Sequence, residues 1–309
     1  VVVEPALIVG SVHDEHMQAV VAAMDDSSPV VLDAASLEEA KFLLDGNRLA
    51  LYKADSLQEI GLSGARGWVR RLSPPGWRTG VVAGSREAAV RSSWIALAVG
   101  LASHPEVSWL TAYPRLIGAE NKLRQAIQAA RLGIRVPRTV VANDPHTIPA
   151  DLGNELVVKP LGVGHFVKSD GEAQVLWAQT LERDDERLVA LAGAPFLVQE
   201  QIPAQRHLRV VTLQERAWCC ALQADRLPVD WRRDDAAHHS FELSSDGEVE
   251  QAALRLAHDM GLGYSSQDWI DTGNGAVFID LNPAGQWLFL PEPVSGAVAR
   301  AIAEHLQGA

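Results

Sequence analysis

The chain has 309 residues, of which 47% are hydrophobic and 21% charged, and its 27 Lys plus Arg against 39 Asp plus Glu give a net charge of −12. At about twice the size of a common single domain it should bury a sizeable core in two or three packed subdomains, and the composition excludes a mainly disordered, collagenous or coiled-coil chain. The acidic balance disfavours nonspecific binding to nucleic acid or to anionic membrane.

Val1–Gly10 reads as a buried strand without the basic flank of a signal peptide, and no apolar run reaches membrane-spanning length, so a soluble cytoplasmic protein is expected. His16–Met24 follows as a helix, then Pro29–Asp33 and Leu49–Lys53 as second and third strands of a parallel α/β unit, and the Ala-rich Glu87–Leu101 as a strong helix. No G-x-G-x-x-G follows the first strand, so the dinucleotide-binding fingerprint is missing. The character changes near Pro114. Ala119–Leu132 has a helical pattern ended by Gly133, Ile134–Val141 is extended, and Glu155–Lys159 is a strand running into the turn Pro160-Leu161-Gly162-Val163-Gly164 and a return segment His165–Lys168. Phe196–Ile202, Leu208–Leu213 and Ala217–Leu222 read as further strands, the last two antiparallel across Gln214–Arg216. Cys219 and Cys220 are adjacent in this apolar stretch, so they offer no metal-ligand spacing and read as packing residues. Glu248–Met260 is helical, Asp268–Asn282 reads as two strands joined at Thr272-Gly273-Asn274-Gly275, and Val294–Leu306 closes the chain as an amphipathic helix. The expected organisation is an α/β first unit at 1–113, a central unit with a glycine loop at 114–195, and a mixed α+β unit at 196–309.

The most specific constellation is late in the sequence. Asp280 and Asn282 are two apart on a strand and share a face, and the Asn-Gly hairpin can bring Asp268 alongside them. Three hard oxygen donors suit Mg²⁺, which is commonly shared between carboxylates and substrate phosphates; the same triplet also fits a solvated hairpin with an ordinary turn acid. Two lysines weigh for the metal. Lys122 lies in a helix, and Lys159 ends an apolar strand just before Gly162 and Gly164, where backbone N–H groups can cover phosphate oxygens. His238 and His239 lack the spacing of a zinc pair, and no Ser/His/Asp arrangement supports hydrolase chemistry.

The order of these features resembles the ATP-grasp superfamily and, within it, the graspetide (microviridin-type) ligases that macrocyclise ribosomal peptides. The motifs that carry the resemblance are Trp68-Val69-Arg70-Arg71, Glu120-Asn121-Lys122 with Gln125, Gly133–Thr139, Val157-Val158-Lys159-Pro160, Gln199–Pro203, Leu208-Arg209-Val210, Asp230-Trp231-Arg232 and Phe278–Trp287. The resemblance implies an ATP-grasp fold behind an N-terminal parallel α/β domain, with ATP and Mg²⁺ required. It implies that Lys122, Lys159, Gly162 and Gly164 contact ATP phosphates and that Gln199, Glu200 and the backbone near Ile202 form the adenine hinge. It further implies that Asp268, Asp280 and Asn282 hold Mg²⁺, that Arg209 and Arg232 face the transferring phosphoryl group or the acyl phosphate, and that Arg70 or Arg71 lines the substrate cleft. Two positions depart from the resembled pattern: Asp280 stands where Glu is common, and His207 where Asp is common.

The implied partner is a ribosomal precursor peptide, leader plus core, whose Asp or Glu carboxylates are activated for attack by Ser/Thr hydroxyls or Lys amines. The resembled family leans toward homodimers, although no interface is legible in the sequence. Two other readings stay open: a ligase joining a free amino acid or amine to a peptide carboxylate, and a noncatalytic nucleotide- or peptide-binding protein on the same scaffold.

Overall fold

The computed structural model describes residues 5–25, 28–33, 41–53, 56–72, 82–162, 165–167, 172–225 and 227–308. Ala6–Val9, fully buried, is one of the two inner strands of a four-stranded parallel sheet in the order Val30–Leu32, Ala6–Val9, Arg66–Val69, Ser108–Trp109. Parallel neighbours require crossovers. The first is the helix Glu15–Ala22, whose N-cap Asp14 accepts from the amides of His16 and Met17.

Leu49–Lys53 is not the third strand of this sheet. The strand Arg48–Lys53 is the middle of a separate antiparallel meander, Lys41–Asp45, Arg48–Lys53 and Ser56–Gly61. The tight Asp45-Gly46-Asn47-Arg48 connection, with Gly46 at φ +54°, makes a hairpin and leaves no room for a crossover. The expected helix Ala119–Leu132 also differs. It is two helices, Tyr113–Ala119 and Lys122–Arg131, because Asn121 breaks the run and caps the second by accepting from the Arg124 amide at 2.9 Å. Gly133, at φ +72°, ends it.

The middle of the chain forms an antiparallel sheet in the order Gln179–Glu182, Glu155–Pro160, Phe196–Glu200, Thr139–Ala142. It has its own core around Leu156, Val158, Leu181, Leu188, Phe196 and Val198. The C-terminal part is a five-stranded antiparallel sheet, ordered Glu242–Ser244, Arg216–Gln223, Arg206–Leu213, Tyr264–Asp271, Ala276–Asn282. The helix Gly247–Asp259 covers the face carrying Leu208, Val210, Trp269 and Leu281. The opposite face carries His207, Arg209, Asp268, Asp280 and Asn282, set there by period-2 alternation and by the cross-strand pairs Arg209–Asp268 and Asp268–Asp280. Cys219 and Cys220 are buried and free, with burial pushing both thiols up, to about 12 and about 11. No helix among the described residues is long and apolar enough to cross a membrane.

Candidate active site

A cavity of about 620 Å³ opens between the central antiparallel sheet, the helix Lys122–Arg131 and the C-terminal sheet. Its floor is acidic. Asp268 and Asp280 are direct cross-strand partners, and Asn282 follows two residues on. The register slips between Asp268/Trp269, so that Ile279 is the extra residue opposite them and lines the cavity together with Asp280. Such a bulge re-aims side chains without ending the strand.

Asp268 and Asn282 are each fixed by a hydrogen bond from behind or beside. Arg209, buried, donates from Nη1 to Asp268 Oδ1 at 2.7 Å and from Nη2 to the Gln286 carbonyl at 3.1 Å, with its guanidinium 5.7 Å from the Phe289 ring centre. It does not line the cavity. Asn282 Oδ1 accepts from the Ala284 amide at 2.9 Å, which closes the turn after the strand.

The opposite wall is cationic. Lys159 projects from the Glu155–Pro160 strand, and its remaining accessible surface opens into the cavity. Burial pushes its ammonium below the ordinary lysine range; the Asp280 and Asp268 carboxylates pull the other way, while Lys122 and Arg232 add to the depression. Lys122, at the first turn of its helix, lines the same space. Neither lysine makes an ion pair or side-chain hydrogen bond among the described residues.

Arg232 completes the cationic side by a different construction. It donates from Nε and Nη2 to the two oxygens of Asp230, both at 2.7 Å, and lies 5.7 Å from the Trp177 ring centre. This bidentate pairing with Asp230 pushes the guanidinium up, whereas Asp230, although buried, is held below the usual carboxylate range by Arg232 against the cost of its own burial. Asp230 also accepts from the Ala178 amide at 3.3 Å, so the pair bridges the Arg232 loop and the central part of the chain.

Gln199 and Glu200 end the strand Phe196–Glu200 at the cavity edge, followed by Ile202. Gln199 donates to Thr139 Oγ1 at 2.9 Å, and Glu200 Oε1 accepts from the Arg138 amide at 2.8 Å, so both are tied to the neighbouring strand. His207 lines the floor; burial lowers its imidazole pKa, with the Asp268 and Asp230 charges opposing, and keeps the ring neutral near pH 7.

Of the residues singled out in the sequence, Lys122, Lys159, Gly162, Gln199, Glu200, Ile202, Arg232, Asp268, Asp280 and Asn282 surround this one space. Gly164 lies outside the described residues. Arg70 and Arg71 are elsewhere. Arg70 is buried behind the site, donating to Asp14 Oδ1 at 3.1 Å and to the Ala284 carbonyl at 2.5 Å, and Arg71 is exposed beside it. Sequence reasoning missed Asp230 as the partner of Arg232, and Trp177 as a wall residue. The i,i+2 spacing of Asp230 and Arg232 was the available signal.

The donor set fits Mg²⁺. Asp268 keeps one oxygen free of Arg209, Asp280 faces it, and Asn282 adds an amide oxygen with a second lone pair. Two carboxylates plus substrate phosphates are what this cation commonly takes. Among the described residues no three His, Cys, Asp or Glu converge as a metal cluster, so the third protein donor at this site is the Asn282 amide oxygen.

The architecture has counterparts among solved structures. Macrocyclase MdnC from Microcystis aeruginosa MRC, bound with the precursor peptide MdnA, superposes with a TM-score of 0.80 at 21% identity, covering 98% of this chain and 99% of that one. The RiPP-associated ATP-grasp ligase of Chryseobacterium gregarium, in complex with ADP and a leader and core peptide, gives a TM-score of 0.83 at 18% identity, covering 98% and 96%. The chain therefore has the ATP-grasp fold, and the resemblance read from its motifs is the one the fold comparison returns. Among curated proteins, "Probable alpha-L-glutamate ligase 2" of Shewanella sp. (strain MR-4) is 27% identical over 190 residues, 60% of this chain and 61% of that protein. The match thus spans less than two thirds of the relative's length. No family model matches the sequence.

Proposed function

We propose that this chain is an ADP-forming ATP-grasp ligase that closes rings within a ribosomally made precursor peptide. The observation that carries the reading is the meeting of two lysines, neither ion-paired among the described residues, and Arg232 with Asp268, Asp280 and Asn282 around one cavity. Lys122 and Lys159 hold the phosphates of ATP, helped by backbone N–H groups near Gly162 and Gly164, while Gln199, Glu200 and the Ile202 backbone receive the adenine. Mg²⁺, held by Asp268, Asp280 and Asn282, supplies charge neutralisation at the phosphate oxygens.

Arg232, immobilised by Asp230, faces the transferring phosphoryl group and stabilises the charge that develops there. Arg209 contributes from behind by fixing Asp268. A peptide Asp or Glu carboxylate takes the γ-phosphoryl group to become an acyl phosphate, and a Ser/Thr hydroxyl or Lys amine of the same peptide then displaces phosphate to give an ester or amide. No enzyme nucleophile is needed, which agrees with a cavity lined by cations and oxygen donors. Positioning supplies much of the rate, so a leader segment bound away from the reacting groups serves to deliver the core.

A second reading rests on the glutamate-ligase relatives: the acceptor is a free amino acid rather than a group on the same peptide. Incubation with ATP, Mg²⁺ and a candidate precursor, followed by mass spectrometry, separates them. Ring closure removes one water per ring from a single peptide; ligation adds the mass of a second molecule. ATP consumption unaffected by any such peptide would reject both.

A further inference from the structure

The acidic strand Ala276–Asn282 is the last strand of its sheet, and its outer edge is not left to solvent. Gln125, on the helix that begins with Lys122, donates from Nε2 to the Leu281 carbonyl at 2.7 Å and accepts the Leu281 amide on Oε1 at 3.0 Å. Its second N–H goes to the Ala119 carbonyl, also at 2.7 Å. The side-chain amide therefore pairs with Leu281 as a neighbouring strand would, using three of its hydrogen-bonding positions, and it is almost fully buried.

Leu281 lies between Asp280 and Asn282, and its side chain points into the core on the face opposite theirs. Gln125 therefore grips the backbone of the one residue that separates two oxygen donors, and it does so from the first turns of the helix that carries Lys122 into the cavity. An edge strand with a bulge at Ile279 has, among the described residues, little else on that side to hold its register beyond the Phe278 amide, which donates to the Arg135 carbonyl at 2.9 Å.

We propose that Gln125 is a positioning residue that locks the phosphate-binding lysine of one element to the oxygen donors of the other, so that Mg²⁺ and the phosphates it accompanies are bound as one unit. This rests on the proposed nucleotide site. Outer partners that orient metal-binding groups commonly cost about 10–100-fold in metal affinity when removed, and a partner acting through the backbone belongs at the lower end.

The test is calorimetric binding of ADP with MgCl₂ and with EDTA. In the unaltered protein Mg²⁺ tightens ADP binding. In Gln125→Met, of similar length but without the amide, that Mg²⁺-dependent gain should shrink by about tenfold, while ADP binding in EDTA changes little. Gln128→Met, on the exposed side of the same helix where Gln128 pairs with Asp259, should leave both values unchanged. A general loosening of the fold weakens binding equally with and without Mg²⁺, and that result overturns the proposal. Gln125→Glu decides the matter if the Met variant does not fold: its carboxylate opposes two carbonyls, and the gain should be lost further, whereas a gain equal to the unaltered protein's, or failure of both variants to melt cooperatively, rejects a positioning role. Absence of any Mg²⁺ effect in the unaltered protein instead rejects the nucleotide-site reading itself.

Discussion

The two sides of the cavity are built on opposite electrostatic plans. On the C-terminal sheet two of the acids are matched, Asp268 with Arg209 and Asp271 with Arg206, both at 2.7 Å. On the central side Lys159 has no such partner among the described residues and sits where burial disfavours its charge. A buried cation without a partner is costly, and the cost is relieved when an anion arrives. The contrast assigns different tasks to the two walls: the paired side is rigid before any ligand enters, and the unpaired side gains its partner from the ligand.

The largest effect should come from the unpaired side. Lys159→Ala removes a cation that in the proposed site takes its counter-charge from the substrate, and ADP formation should fall by about 10³-fold, with the melting transition unchanged or raised, because a desolvated charge has been deleted. Asp280→Ala should match the loss of turnover. Turnover within a few-fold of the unaltered protein in either case would break the division of labour between the walls and, with it, the site assignment.

The paired side should respond in the reverse way, through stability. Arg209→Leu strips Asp268 of its partner at 2.7 Å and removes the donor to the Gln286 carbonyl. Breaking a buried pair by deleting one member typically costs about 3 kcal/mol. Urea unfolding should show a loss of that order, with the slope of the transition preserved. Gly285 packs directly against this pair: a Cβ there would lie 2.5 Å from Ser266 Cβ and 3.2 Å from Arg209 Nη2, so the loop is close-packed around the guanidinium. A stability change smaller than that of Lys159→Ala would show that the arginine is not a framework element.

How much of this was legible in the sequence follows the same division. The acidic floor was readable because a strand has period 2 and Asn-Gly announces a hairpin, which together place Asp268, Asp280 and Asn282 on one face. Lys159 was readable as a cation at the end of an apolar strand. Arg70 was not, because alternation tells which face a side chain takes but not what packs on that face; here it is Asp14 and the Ala284 carbonyl, residues 56 and 214 positions away. The third strand was misplaced for a similar reason: Leu49, Ala50 and Leu51 are all buried, as in a parallel strand, but the Gly46-Asn47 turn before them sets the connectivity. The break at Asn121 had a legible sign, a capping residue inside a helical run, that periodicity outweighed.

The loop behind the floor yields the smallest effect, one governed by pH. His16 accepts the amides of Trp287 and Leu288 on Nε2, at 3.2 and 3.5 Å, and so anchors the segment that Arg70 and Arg209 also hold. Burial, reinforced by Arg70 and opposed by Asp14, pushes its pKa down to about 4 from an ordinary 6.5. The folded state therefore keeps the ring neutral where the unfolded chain protonates it. Because the unfolded state binds more protons, the stability this histidine permits is fully present above pH 6.5 and is lost as pH falls toward 4, by at most about 3 kcal/mol. The neighbouring Asp14 titrates below its ordinary 3.8, outside this window. His207 and His305, lowered by burial as well, slope in the same direction, so the contribution of His16 is the difference between the unaltered protein and His16→Gln, whose amide oxygen can still accept an N–H. Chemical unfolding followed from pH 7 to pH 4 should give the shallower decline in the variant, and parallel declines would mean that His16 is already charged in the folded state and that Arg70 and Asp14 alone anchor the loop.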